Sequence, residues 1–186
     1  MFSTRIIAFF FFLVAFGTLV CANPIASAEV AKREATTVAK RATASDVINI
    51  LNTLQSAVGV QATALGALPA TGDPTTPATN IANALNTAVL SLLALGPITG
   101  LTTALLSAVA QLLAAILNAI AAALAPFVGG LPLQLIVITL DLAINLVIIT
   151  VNQLLATILA LVAALITNLP IWHAIGLVTS LATLGL

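Results

Sequence analysis

The sequence predicts an all-α fold, a bundle of about five very apolar helices, each carrying a narrow polar stripe. Three observations lead there. The chain is 61% hydrophobic and 5% charged over 186 residues, whereas ordinary globular domains carry about a quarter charged residues. Its amides and hydroxyls recur at steps of three, four and seven, the spacing that keeps side chains on one face of a helix. Clusters of proline and glycine then cut the apolar sequence into pieces of helix length.

Residues 1–22 read as a signal peptide. Arg5 precedes the unbroken apolar run 6–16 (IIAFFFFLVAF), and small residues follow it, the layout of a secretory address with its cleavage site. The cut is expected after Val20-Cys21-Ala22, which lies closer to the apolar run than Ala26-Ser27-Ala28. The run is short for a retained membrane anchor, which needs about 20 apolar residues. Residues 23–41 then form a pro-segment with two dibasic pairs, Lys32-Arg33 and Lys40-Arg41. With Arg5, these are the only basic residues of the chain. Cutting at the pairs therefore releases a base-free product.

Residues 42–68 predict an N-terminal amphipathic helix. Ser45 and Asp46 supply an N-cap signal, and Asn49, Asn52, Ser56 and Thr63 fall on one face. Residues 69–80 predict a Pro/Thr linker, centred on PATGDPTTP. Its Thr75 and Thr76, with Thr79, lie near proline and suit O-glycosylation, and no Asn-x-Ser/Thr acceptor for N-glycans exists.

Residues 81–186 predict a hydrophobic helical domain. Asn80, Asn83, Thr87 and Ser91 make one polar line, which Gly96-Pro97 should end. Thr99, Thr103, Ser107, Gln111 and Asn118 make the next, before Pro126 and Gly129-Gly130 break the chain. Pro132 opens a fourth segment, in which Gln134, Asp141, Asn145 and Asn152 share a face, and Pro170 is expected to end it. The last segment is expected to place His173, Ser180 and Thr183 on a common side. Residues 134–152 admit a second reading as partly β on assembly, because 137–145 alternates and 146–151 (LVIITV) is β-branched and uncharged.

These helices reverse the usual proportions of an amphipathic helix, with a thin polar line on an apolar cylinder. Either the lines face one another inside a bundle with an apolar outer wall, or the bundle exposes a large apolar patch. A compact bundle with Asn, Gln and Thr as its wet surface suits residues 42–95 but not 101–186, where polar positions are too few.

Charge placement narrows the function. Residues 42–186 hold three acids, Asp46, Asp73 and Asp141, and no base, a net charge of −3. Nucleic-acid binding is excluded as a partner class, since it depends on Lys and Arg at phosphates. Cys21 is the only cysteine, so disulfides and thiolate ligands are not expected after processing. His173 and the aspartates would permit a Ser-His-Asp arrangement by count. However, no nucleophile elbow, paired carboxylates, metal-spaced ligands or phosphate loop is present. The expectation is a non-enzyme without catalytic, cofactor or metal sites. Asp141 is a candidate pH-dependent switch, because a carboxyl in an apolar run must be neutral or hydrogen-bonded. His173, beside Trp172 near a helix start, is a second candidate, both rings suiting an interfacial boundary.

The pro-segment, with Lys32-Arg33 followed by Glu34-Ala35 and Lys40-Arg41 followed by Ala42, resembles the leaders of fungal secreted precursors trimmed by a kexin-type endoprotease. That resemblance implies export and processing at Lys32, Arg33, Lys40 and Arg41. In layout and behaviour the product resembles hydrophobic proteins that coat hyphae and cell walls. It is not a hydrophobin, since it lacks their cysteine framework. The expected function is a non-catalytic, secreted surface-active or cell-wall protein that meets a hydrophobic surface, lipid or wall and self-associates. A membrane-active, pore-forming toxin is one alternative. An integral membrane protein is the other, with 104–125 and 153–169 as candidate spans, although no basic loop remains to orient them.

Overall fold

The computed structural model describes residues 42–96, 98 and 102–186. The signal peptide, the pro-segment with its four dibasic residues, and Thr99 of the third polar line lie outside the described residues. The chain divides into two units, Met1–Lys40 and Arg41–Leu186, and every helix below belongs to the second.

Among the described residues there are seven α-helices, one 3-10 turn and no strand. The helices are α1 (Ala44–Gly66), α2 (Thr75–Leu93), α3 (Thr103–Leu124), α4 (Leu131–Leu154), α5 (Ile158–Ala163), α6 (Leu169–Ile175) and α7 (Val178–Leu184), with the 3-10 turn Ala125–Phe127 after α3. The all-α class is as the sequence predicts, but the count of about five is not. Two expected segments break. The fourth breaks after α4 at Thr157, which sits at φ 75°. The fifth breaks at Gly176, whose φ of 95° is open to glycine and strained for other residues. Pro170 also acts in the opposite sense to the expectation. It lies in the first turn of α6, where the missing N–H has no partner to lose, and so opens a helix.

Residues 134–152 are helical throughout. The alternating pattern that suits a strand yields to a stronger helical one, since Leu133, Ile136, Leu140, Ile144, Val147 and Val151 are all buried at steps of three and four. The helix starts also shift. α1 is capped by Thr43, not Ser45: the Thr43 N–H and hydroxyl both donate to the Asp46 carboxylate at 2.8 Å. α2 begins inside the expected linker, where the Asp73 carboxylate accepts the Thr75 N–H at 2.9 Å and Pro77 fits within the first turn. The preceding turn is tight at Gly72. Its N–H donates to the Pro69 carbonyl at 2.7 Å, and a Cβ there would stand 2.9 Å from that oxygen.

Four long helices set the frame. α1 packs on both α3 and α2, and α2 packs on α4. The fourth side is not closed by α3 on α4. Instead α5 and α6 lie on α3, while α7 lies on α4 and α5, so the short helices fill the gap. The core runs through all of them, with Leu51, Leu85, Leu117, Leu140, Ile144 and Trp172 fully buried. Each such aliphatic side chain contributes about 1.5–3 kcal/mol by leaving water.

Candidate functional site

The polar lines divide into two kinds according to where the fold points them. On α1, Asn49, Asn52, Ser56 and Thr63 are exposed, and on α2 so are Asn80, Asn83, Thr87 and Ser91. Ser56, Thr63, Thr87 and Ser91 each donate to the carbonyl one turn back at 2.9–3.0 Å. Asn80 reaches across to Gln61 at 3.2 Å. On α3, Thr103, Ser107 and Gln111 also face outward. The wet-surface reading thus describes α1 and α2, as expected for 42–95, and extends to the first half of α3.

On α4 the polar line divides: Gln134 is exposed and Asn152 half-buried, while Asp141 and Asn145 turn inward. These two are buried because α7 packs over them. The Asp141 carboxylate accepts the N–H groups of Thr179 and Ser180, each at 2.9 Å, and the Ser180 hydroxyl at 2.5 Å. These N–H groups belong to the first turn of α7, which has no partner for them within its own helix. Asp141 therefore caps a helix remote in sequence. One turn further along α4, Asn145 accepts the Thr183 hydroxyl at 2.6 Å. A second amide, the half-buried Asn118 on α3, donates to the Leu165 carbonyl at 3.0 Å and accepts the Thr167 N–H at 3.0 Å, holding the turn between α5 and α6.

With Asp141 and Asn145 turned in, and beside the exposed Thr139, α4 presents an aliphatic row outward. Ile138 is 75% exposed, Leu142 56%, Leu146 40% and Ile149 36%. The exposed amides Gln134 and Gln153 stand at the two ends of the row. Val178, next to the capped Thr179, is exposed as well. A short exposed aliphatic pair such as Leu90 and Leu93 on α2, which covers a single turn, is ordinary on protein surfaces. An uninterrupted row over about three helical turns is not. The stretches Thr103–Phe127 and Ile136–Leu154 are both long and apolar enough to cross a membrane, and half of each is buried in the bundle.

The other expected site residues separate. His173 is exposed on α6, whereas Ser180 is buried and Thr183 partly so on α7, because Gly176 reorients the chain between them. The three do not share a side. Trp172 is not a boundary residue. It is fully buried, and its indole N–H finds no acceptor among the described residues. Asp141 and Ser180 meet without His173, which is not among their hydrogen-bond partners. Among the described residues no three His, Cys, Asp or Glu side chains gather as a metal site. An open groove of about 240 Å³ lies between α1 and α2, lined in part by Leu54, Ala57, Ala84 and Ala88. Its hydroxyls, Thr53, Thr87 and Ser91, all donate to their own helices.

Sequence reasoning missed the outward row on α4. Its signal was present, since Ile138, Leu142, Leu146 and Ile149 follow the helical period. The buried positions of the same helix follow that period too, and only the packing partners decide which apolar face remains open.

The fold and this surface define a helical bundle with wet polar lines on α1–α3 and an apolar row on α4. The chain matches no protein-family model, no curated protein and no solved structure.

Proposed function

We propose that residues 42–186 form a non-catalytic bundle that works at a membrane, meeting lipid through α4 and lending α3 and α4 as its membrane-length helices. The observation that carries this reading is the state of α4. It is apolar over a span's length, shows an aliphatic row outward, and has its single carboxylate turned inward onto α7. Desolvating an unpaired carboxylate in lipid costs several kcal/mol. Pairing it with two N–H groups and a hydroxyl inside the bundle lowers that cost. The absence of Lys and Arg from 42–186 makes the attraction apolar rather than electrostatic.

The test is flotation of the full-length chain with phosphatidylcholine vesicles, together with alkaline extraction of membranes from cells that produce it. The chain should float with the vesicles and stay in the extracted membrane pellet. A chain that remains wholly in the aqueous fractions of both experiments sinks the proposal. Dye release from the same vesicles would identify a pore-forming mode.

A second reading rests on the N-terminal sequence: a secreted surface or cell-wall protein, released by cleavage at Lys32-Arg33 and Lys40-Arg41, that coats an apolar surface through the same row. Intact mass of material from the medium or wall decides it. A mass beginning at Ala42 supports export and processing, and an unprocessed, cell-retained chain rejects both.

A further inference from the structure

We infer that α4 is also the contact helix of a two-fold pair of chains, docked antiparallel along its outward row. The row is Gln134, Ile138, Leu142, Leu146, Ile149, Gln153. It has the same order from either end. All six side chains are exposed, and at 1.5 Å per residue the row is about 28 Å long.

A two-fold interface requires a self-complementary surface, in which residue i meets j of the second copy and j meets i. Antiparallel docking sets Gln134 against Gln153, Ile138 against Ile149 and Leu142 against Leu146 of the second chain, and the same contacts recur on the other side of the axis. Each aliphatic side chain then meets its like. Each terminal amide meets another amide, with a donor and an acceptor on both sides. Opposed helix dipoles favour this orientation over a parallel one.

Charge removes the usual objection. Two copies of a chain carrying −3 over residues 42–186 should repel, but the one charged residue of α4, Asp141, is buried and directed at α7. The docking face is therefore uncharged. The pair does not rest on the membrane reading, because it would cover the same row in water.

Cysteine cross-linking in producing cells tests the pair, using full-length chains in a Cys21→Ser background. Chains with Gln134→Cys and chains with Gln153→Cys are expressed together and oxidised in place. A disulfide-linked dimer is expected from the mixture and from neither variant alone, and adding Leu142→Glu to both chains should abolish it. Self-cross-linking of Gln134→Cys alone would indicate a parallel pair and overturn the inference. Absence of any mixed product overturns it as well. If the Leu142→Glu chains lose vesicle binding yet still form the mixed disulfide, lipid and not a second copy holds the row, and the inference is overturned.

Discussion

Asp141 on α4 and Ser180 on α7 meet at three contacts: the Ser180 N–H donates to the carboxylate at 2.9 Å, and the single hydroxyl proton of Ser180 is shared between the same oxygen at 2.5 Å and the Asp141 carbonyl at 3.1 Å. Both residues are buried, so water does not replace a lost partner. Replacing Asp141 by Ala leaves the buried Ser180 N–H unsatisfied, whereas water can reach the exposed Thr179, and should cost about 2–3 kcal/mol of stability. Asp141→Asn keeps one acceptor but sets an NH₂ group against a backbone donor, and should cost about 1–2 kcal/mol. Denaturant midpoints of the two variants check the order. Equal stability of Asp141→Ala and the parent chain would reject the cap.

Asn118 makes a smaller contribution of the same kind. Its amide bridges the Leu165 carbonyl and the Thr167 N–H, but both of those residues are exposed, so water takes over when the amide is removed. Asn118→Ala is therefore expected to cost only about 1 kcal/mol globally. The Thr167 amide should nevertheless exchange its hydrogen faster, while amides in α1 and α2 keep their rates. An unchanged Thr167 rate would mean that the turn between α5 and α6 holds itself.

How far the fold could be read in advance follows from which signals are local. The polar lines of α1 and α2 were legible because each lies within one helix and faces water. The cap on α7 was not, since Asp141 and Ser180 are 39 positions apart in sequence and nothing near Asp141 reveals its partner. The break at Thr157 was also hidden. Residues 153–163 (QLLATILALVA) contain no proline or glycine, and their composition favours an unbroken helix. Packing of α5 on α3 wins over that preference. Trp172 was misplaced for a related reason: its amphipathic ring suits a boundary, but its position facing the core depends on the turn at Asn168, which holds φ 58°.

Thr157 carries a testable cost. At φ 75° a β-branched side chain crowds its own backbone, and the left-handed conformation costs an L-residue about 1–2 kcal/mol. Glycine removes that term but loses more entropy on folding, about 0.5–1 kcal/mol. Thr157→Gly should therefore stabilise the bundle by about 0.5–1 kcal/mol, and Thr157→Val should not. Thermal midpoints of the two variants give the comparison, and a lower midpoint for glycine would contradict the strained geometry.

The start of α2 should respond to acid. The Thr75 side chain and N–H hold the Asp73 carboxyl below its ordinary value of 3.8. A carboxyl lowered in the folded state adds stability above its unfolded value, and that stability is lost as pH falls through the folded one. Asp73→Asn removes the titration. The parent should lose its advantage over Asp73→Asn between about pH 5 and about pH 2, measured as the difference in their thermal midpoints. A difference that stays constant across this window would show that the charge of Asp73 contributes nothing to the helix start.

The outward row and the core of α4 should separate two properties that reside in one helix. Ile138 and Leu142 are mostly exposed, whereas Leu140 between them is fully buried. Changing Ile138 and Leu142 together to Gln removes apolar area that lipid would cover. A loss of about 2 kcal/mol in vesicle partition is expected, roughly thirtyfold in affinity. The same double change should leave folding stability within about 0.5 kcal/mol, as exposed substitutions generally do. Leu140→Ala should do the reverse, costing about 2–5 kcal/mol of stability through the cavity it leaves while the folded fraction binds vesicles as before. Titrating both variants with vesicles at a temperature where each is folded makes the comparison direct. If the double Gln variant binds as tightly as the parent, the row is not the lipid contact, and the membrane-length apolar character of α4 serves only the bundle's interior.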